Sequence, residues 1–129
     1  MGWFIKPSIN MTENLATAGA DYHLSDRDVT ISRTDTTGRI VYVNEAFVKS
    51  SGYTREELTG QSQNVVRHPD MPREVFRDLW NTIEHDQPWT GLLKNRRKNG
   101  QAYWVVANVT PVFEQGSKVG YMAVRTKPT

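Results

Sequence analysis

The chain contains no cysteine among its 129 residues. That absence excludes disulfide bonds, thiolate metal sites, iron–sulfur clusters and any covalent bond between a cysteine and a cofactor. No apolar run approaches the roughly 20 residues needed to span a membrane. The net charge of +2 is too small to indicate nucleic-acid binding. Redox chemistry in this chain would therefore require a noncovalently bound group.

The chain is long enough for one domain with a real core. Residues 1–28 mix small polar residues and alanine with little periodicity, so they predict an N-terminal arm with at most a short helix. Met11 is an alternative start, and the pattern leaves open whether residues 1–10 are native. The folded domain is predicted over residues 29–126, and residues 127–129 are interpreted as the beginning of a linker.

Hydrophobic patterning in residues 29–126 predicts an α+β domain. A β-hairpin comes first, then short helices, one longer amphipathic helix and a meander of three strands. We expect a five-stranded antiparallel sheet with the helices on one face. Asn44 is placed to cap the first helix, and Thr54 begins a capping box with Glu57. The strands are predicted at 29–34, 39–43, 89–96, 101–113 and 119–126, and the helices at 45–50, from 54 to 60 and at 72–84.

The segment from Asn64 to Pro72 concentrates two prolines, two cationic side chains and a carboxylate in one turn. Proline restricts both its own backbone and the residue before it, so the next helix is expected to begin only after this segment. Asp70 is predicted to cap that helix. Arg67 and His68 lie just upstream, where they could face an anionic or polar ligand. The alternative is a helix-start turn whose charges are only solvated.

Several motifs together resemble PAS domains. They are Asn44-Glu45-Ala46-Phe47, the string from Ser51 to Gly60, and Lys98-Asn99-Gly100 followed by Tyr103-Trp104, and the resemblance covers about residues 29–126. Within that superfamily, the strings 64–72, 88–91 and 94–100 closely resemble the FAD-binding PAS domain at the N-terminus of bacterial aerotaxis receptors, a class of methyl-accepting chemotaxis proteins. This resemblance is the more specific of the two.

The resemblance implies FAD held noncovalently between the sheet and the helices. The redox state of that flavin would be passed to a HAMP and signalling region, which this chain does not contain. The chain would then be the cytoplasmic sensor portion of a membrane-anchored receptor. Its expected partners are FAD, the downstream region of the same receptor and a second copy in a homodimer, with no nucleic acid and no membrane span in this chain. No enzymatic activity is expected, because no nucleophile–base pair or metal-ligand spacing is present.

A flavin requires an apolar slot, amide groups for its pyrimidine edge, and donors or cations for its ribityl and diphosphate portion. Trp89 and Trp104 are candidates for the slot, with packing in the core as the alternative. Asn95 is an amide in an otherwise β-patterned strand, and related flavin photoreceptors carry Asn at the matching position. Asn108 is analogous, although an outward polar position explains it equally well.

The remaining candidate ligand residues lie before the long helix. The resemblance matches Arg67, His68 and Asp70 to the aerotaxis-receptor motif. Arg67 could pair with phosphate or stack beside adenine, and His68 could donate to a ribityl or phosphate oxygen. Asp70 is expected to organise the turn rather than to contact an anion. Asn44 is interpreted as a helix cap first and as a ligand contact second.

The chain also departs from the flavin photoreceptors. They carry a second Asn where Val105 stands, Gln where Arg125 stands, and a reactive cysteine that is absent here. Light-driven adduct formation is thus excluded. Arg125 pointing inward would favour an electron-rich reduced flavin, but we expect it to be a solvated cation at the end of a strand.

Two other functions are compatible with these residues. The first is a haem-binding oxygen sensor with His68 or His85 as the axial ligand. The second is a cofactor-free PAS module for dimerisation or interaction, in which the aromatic residues only fill the core.

Overall fold

The computed structural model describes residues 21–129, so most of the predicted N-terminal arm, for which the sequence allows at most a short helix, lies outside the described residues. Residues 21–29 contain no helix or strand. A 3₁₀ helix at Gln63–Val66, which the sequence patterns did not predict, precedes the longest helix. The strands are β1 (Thr30–Thr34), β2 (Ile40–Val43), β3 (Trp89–Arg96), β4 (Ala102–Glu114) and β5 (Ser117–Thr126), and the helices are α1 (Glu45–Ser51), α2 (Arg55–Leu58) and α3 (Arg73–Glu84).

The five strands form one antiparallel sheet in the order β2-β1-β5-β4-β3. Because successive side chains in a strand point to opposite faces, each strand contributes alternate residues to the core. Tyr121 and Ala123 of β5 are buried on the face that α3 covers, beside Val105 and Ala107 of β4. The predicted α+β architecture, with one longer helix on one face of a five-stranded sheet, is confirmed.

The short helices begin and end at residues that the sequence identifies. The Asn44 side chain accepts a hydrogen bond from the backbone N–H of Phe47 at the start of α1. Gly52 ends α1 with φ of 76°, a left-handed conformation that glycine adopts at little cost. The predicted capping box of Thr54 and Glu57 is present at α2. Local capping therefore accounts for the positions of both helices.

The prediction that Asp70 caps α3 is wrong. The N-cap of α3 is Pro72, and no side chain makes a cap hydrogen bond there. A capping side chain reaches the second or third N–H of the helix from the N-cap itself, and Asp70 lies two residues earlier. The Asp70 carboxylate instead lies 3.4 Å from Nζ of Lys94 in β3.

The turn between β3 and β4 holds the end of α1 against the sheet. Arg97 Nε donates to the carbonyl oxygen of Ser50 at 2.8 Å, and its Nη2 donates to that of Lys49 at 3.1 Å. The backbone N–H of Lys98 donates to the carbonyl oxygen of Ser51 at 2.9 Å. These bonds satisfy carbonyl groups that the end of a helix leaves unpaired. They also hold α1 close to the end of β3, next to the site described below.

Candidate ligand-binding site

A cavity lies between the sheet and α3. It has about 40 Å³ of interior space, below the ~300 to 1,000 Å³ typical of small-molecule sites, so a ligand of that size would require its walls to move apart. Trp80 and Tyr121 form part of its wall, with their rings packed edge to face at a centroid distance of 5.6 Å. The wall is therefore suited to a flat, largely apolar group. Its other apolar residues are Val66, Phe76, Leu79, Ile83, Leu93, Val109 and Ala123.

Four buried polar side chains, those of Thr34, Gln63, Asn95 and Arg125, interrupt this apolar wall. Gln63, Asn95 and Arg125 are between 5% and 8% exposed, and all three line the cavity. Gln63 Nε2, Asn95 Nδ2 and Arg125 Nε have no hydrogen-bond partner within the described part of the chain. Buried donors are nearly always paired in folded proteins, and each unpaired one costs about 1 to 3 kcal/mol. The cavity therefore presents donors that a ligand with acceptor atoms would satisfy.

A hydrogen-bond chain orients two of these donors. Arg125 Nη1 donates to Ser32 Oγ at 3.1 Å, and Ser32 Oγ donates to the Gln63 amide oxygen at 3.1 Å. Since that oxygen is occupied, the amide nitrogen of Gln63 is the group left for the cavity. These two hydrogen bonds link β5, β1 and the 3₁₀ helix. A change in the position of one donor would therefore alter contacts in all three elements.

Arg125 is a buried cation, so the expectation that it points into solvent is wrong. Burial lowers the pKa of its guanidinium to about 10, against a smaller opposing effect of Tyr103, and Arg125 remains protonated at neutral pH. Its Cζ lies 5.1 Å from the centroid of the Phe47 ring, and no carboxylate among residues 21–129 forms an ion pair with it. A ligand that carries or develops negative charge would offset the cost of this burial.

Asn95, a ligand candidate from the sequence, lies in the wall of the cavity near the end of β3. Its backbone forms an isolated antiparallel bridge with Arg67, which brings the segment before α3 alongside β3. Tyr103 lies opposite Asn95 on β4, and burial raises the pKa of the Tyr103 hydroxyl to about 12. This phenol therefore stays protonated.

Arg67 and His68 lie at the same edge of the site. Arg67 lines the cavity, with Cζ 4.0 Å from the centroid of the Phe76 ring. His68 Nδ1 accepts the backbone N–H of Asp70 at 3.0 Å, so the proton of the neutral ring is on Nε2. Burial and then the charge of Lys94 lower the pKa of His68. His68 is thus a neutral donor at pH 7. The exposed carboxylate of Asp70 lies 3.7 Å from His68 Nδ1 and 3.4 Å from Lys94 Nζ, and its role in organising the turn stays a prediction.

Trp89 is buried but does not line the cavity. Its indole Nε1 donates to Asp78 Oδ2 of α3 at 2.9 Å. Its ring lies over Gly91, where an added Cβ would come within 2.3 Å of the indole. The residue therefore packs β3 against α3 beside the cavity, and direct contact with a ligand would require its ring to move.

The structure does not bring the other three candidates into the cavity. Trp104 and Asn108 point to the outer face of the sheet, where Trp104 is 41% exposed and Asn108 accepts a hydrogen bond from Thr90 Oγ1 at 2.6 Å. Asn44 uses its side chain for the backbone: Oδ1 accepts from the N–H groups of Phe47 and Ile31, and Nδ2 donates to the carbonyl oxygen of Val29. Its capping role accounts for these contacts.

Two residues of the site were not among the predicted ligand residues: Arg125 was expected to face solvent, and Gln63 was not considered. Alternation along β5 offered a signal for Arg125, because it follows Tyr121 and Ala123 at intervals of two and therefore shares their face. Gln63 had no such signal. It lies in a four-residue 3₁₀ helix, and only the packing of that helix against β1 brings it to Ser32.

A five-stranded antiparallel sheet that carries short helices and one longer helix on one face, with a cavity beneath the longer helix, is the architecture of a class of sensor domains. The PAS family model, described as the PAS fold, matches residues 24–125, and the chain belongs to that family. PAS domains are generally non-enzymatic signalling modules. Within the described residues, no group of His, Asp and Glu side chains could hold a metal ion.

Comparison with known proteins gives a more specific likeness. The chain is 49% identical over 106 residues to the aerotaxis receptor of Escherichia coli K12, covering 82% of this chain and 21% of the receptor. It is 37% identical over 98 residues to a nitrogen fixation regulatory protein of Klebsiella oxytoca, covering 75% of this chain and 20% of that protein. A PAS domain crystal structure from Colwellia psychrerythraea superimposes with a TM-score of 0.71 at 24% identity, covering 78% of this chain and 86% of that one.

The chain spans about a fifth of the length of the two curated relatives named above. Among the helices formed by residues 21–129, none has the length and apolar character required to cross a membrane.

Proposed function

We propose that this chain is an FAD-binding redox sensor module of an aerotaxis-type receptor. The observation that carries the proposal is the set of three unpaired buried donors, on Gln63, Asn95 and Arg125, in the wall of an otherwise apolar cavity. The 49% identity to an aerotaxis receptor supports the same assignment. In such a receptor the module would be cytoplasmic, with an arm at 1–28, the sensor domain at 29–126 and a linker beginning at 127.

The chemistry of a flavin fits these donors. Its ring system is flat and apolar, as the walls of the cavity require. Its pyrimidine edge carries two carbonyl oxygens and N1, which accept hydrogen bonds, and an N3–H group, which donates one. Reduction makes that edge richer in electrons. Arg125 would favour the reduced form because its buried positive charge attracts the added negative charge.

The proposed signal begins at the same contacts. When the charge of the flavin edge changes, the hydrogen bonds from Arg125 and Gln63 change in strength, and Ser32 joins the two residues. Because these side chains belong to β5, the 3₁₀ helix and β1, the rearrangement would reach the sheet. The altered sheet would change its contacts with a downstream HAMP and signalling region or with a second copy of this chain.

The absorption spectrum of the purified protein tests the proposal. We expect flavin bands, and release of FAD in stoichiometric amount on denaturation. Asn95→Ala should lose most of its FAD while remaining folded, because it removes a donor from the cavity. Asn108→Ala is the matched control, since the same amide is removed from the outer face, and it should retain FAD. A folded, colourless wild-type protein would contradict the proposal.

The alternatives receive less support from the geometry. Neither His68 nor His85 lines the cavity, and His85 lies exposed with Nδ1 2.6 Å from the carbonyl oxygen of Asn81. A Soret band would nevertheless establish haem in the same spectrum. A cofactor-free module would leave the three buried donors unpaired at a cost of about 1 to 3 kcal/mol each.

A further inference from the structure

A hydrogen bond between α3 and β3 holds the helix against the sheet beside the cavity. Asp78, in the middle of α3, accepts the indole N–H of Trp89 at 2.9 Å. Trp89 is the first residue of β3 and is 8% exposed, whereas Asp78 lies on the exposed side of the helix. Neither residue lines the cavity. The contact therefore fixes the position of one wall without forming part of its surface.

The two walls of the cavity are held in different ways. The strands on one side are joined by continuous backbone pairing, since β5 pairs with both β1 and β4. On the other side, α3 packs against them through apolar side chains, those of Phe76, Leu79, Trp80 and Ile83. Moving a strand would break several backbone hydrogen bonds, whereas a helix that moves as a rigid body keeps its own. The wall that can move is therefore α3.

Lys118 of β5 holds the C-terminal end of α3. Its Nζ donates to the carbonyl oxygen of Glu84 at 3.2 Å and to Asp86 Oδ1 at 2.8 Å. The N-cap of α3 is Pro72, and no side chain makes a cap hydrogen bond there. The helix can therefore turn about its C-terminal end, and Asp78 lies on the part that would move away from β3.

The size of the cavity makes this movement necessary for a flavin. With α3 in this closed position the interior space is about 40 Å³, well below the ~300 Å³ or more of typical small-molecule sites. We propose that the Asp78–Trp89 hydrogen bond is a latch, which opens for a flavin to enter and stays open while the flavin is bound. The inference rests on the proposed flavin site. Because the latch stabilises only the closed position of α3, it lowers the apparent affinity for the flavin.

Cysteine labelling of the apoprotein measures the opening independently of any flavin. The chain has no cysteine of its own, so Val109→Cys introduces one thiol into the strand side of the cavity, at a residue that is 7% exposed. Adding Asp78→Ala should raise the labelling rate of this thiol about five-fold or more, because a hydrogen bond to a charged acceptor favours the closed position by at least that factor. Val43→Cys is the matched control. Val43 is buried in a separate core cluster away from the cavity, so its labelling should not change.

Titration of the apoprotein with FAD, followed by flavin fluorescence, tests the consequence for binding. Asp78→Ala should bind FAD about five-fold or more tightly than wild type, although it has lost a hydrogen bond, because less free energy is needed to open the cavity. Asp78→Asn retains an acceptor oxygen for Trp89 and should stay near the wild-type affinity. Glu74→Ala removes a carboxylate from another exposed position of α3 and should leave the affinity unchanged.

Unchanged labelling of Val109→Cys in the Asp78→Ala background would overturn the latch and leave the flavin site standing. Equal acceleration at Val43→Cys would also overturn it, since both thiols would then report unfolding of the whole domain. Unchanged or weaker FAD binding by Asp78→Ala would show that the hydrogen bond is present in the complex, which contradicts the proposal. Failure of the wild-type protein to bind any flavin would overturn the proposed function, and the labelling rates would still decide whether Asp78 holds α3 closed.

Discussion

Arg125 is the residue whose chemistry most strongly shapes the candidate site. It is 5% exposed, is held by Ser32, and has no carboxylate partner within residues 21–129. A protein with no ligand would be expected to replace such a charge with an apolar side chain, often with no loss of stability. Retaining it is reasonable where a bound group gains negative charge, as a flavin does on reduction.

Arg125→Gln should therefore lower the reduction potential of the flavin that we propose this chain binds. Losing about 1.5 to 3 kcal/mol of stabilisation of the reduced form corresponds to roughly 30 to 60 mV for a two-electron couple. A spectroscopic redox titration measures the shift. Arg33→Gln removes a charge from the partly exposed ion pair with Glu114 and should leave the potential nearly unchanged. Equal shifts in both variants would indicate a general charge effect.

His68 makes a prediction about pH. Burial and the charges of Lys94 and Arg96 lower the pKa of its imidazole, while Asp70 and Asp21 act in the opposite direction. As the pH falls below the unfolded value of 6.5, the unfolded chain takes up this proton before the folded chain does, so stability falls. The slope from one group cannot exceed about 1.4 kcal/mol per pH unit.

His68→Gln should consequently lose less stability than wild type between about pH 6.5 and 5. Urea unfolding of the apoprotein at several pH values gives the comparison. His23→Gln, at an exposed position, serves as the control and should follow wild type. A His68 variant whose stability falls as steeply as that of wild type would show that another group is responsible.

The short helix α1 depends on the cap at its start. Asn44 accepts two backbone N–H groups and donates to Val29, so it joins α1 to the beginning of β1. Asn44→Ala should reduce the free energy of unfolding by about 2 to 3 kcal/mol, the loss of a cap plus the hydrogen bonds to the neighbouring strand. Chemical denaturation measures the change.

Asn44→Asp tests the capping interpretation directly. It retains the acceptor and loses the donor, so it should be destabilised less than Asn44→Ala. If it retains FAD as wild type does, the effect of Asn44 is structural. Loss of FAD from a stably folded Asn44→Asp protein would instead favour the predicted ligand contact.

The packing of the whole sheet depends on a close approach of β5 to the end of β1. A Cβ added at Gly120 would come within 1.9 Å of the Thr34 carbonyl oxygen, so the backbone would have to move. Gly120→Ala should cost about 3 kcal/mol or more in thermal or urea unfolding. Gly116→Ala is the control. It meets no atom within 4 Å but has φ of 81°, so about 1 to 2 kcal/mol is expected. Equal losses would contradict the close-approach argument.

Much of this molecule could be predicted from the sequence because the relevant interactions are local. Alternation of apolar residues, the Asn44 cap and the capping box at Thr54 each involve residues a few positions apart, and each predicts an element that is present. The same local reasoning identified Asn95, since an amide inside a β-strand needs a partner. It was wrong for Asp70, where Pro72 takes the capping position.

The wall of the cavity depends on contacts between distant parts of the chain. Ser32 meets Gln63 across 31 positions and Arg125 across 93. No periodic pattern extends over such distances, so the sequence alone could not bring these donors together or show that Arg125 is buried. Likewise, Trp104 and Asn108 have residue types suited to a flavin, but strand pairing places them on the outer face. Residue types and local spacing thus established the fold and the chemistry available, whereas the pairing and packing of the strands determined which of those groups share one cavity.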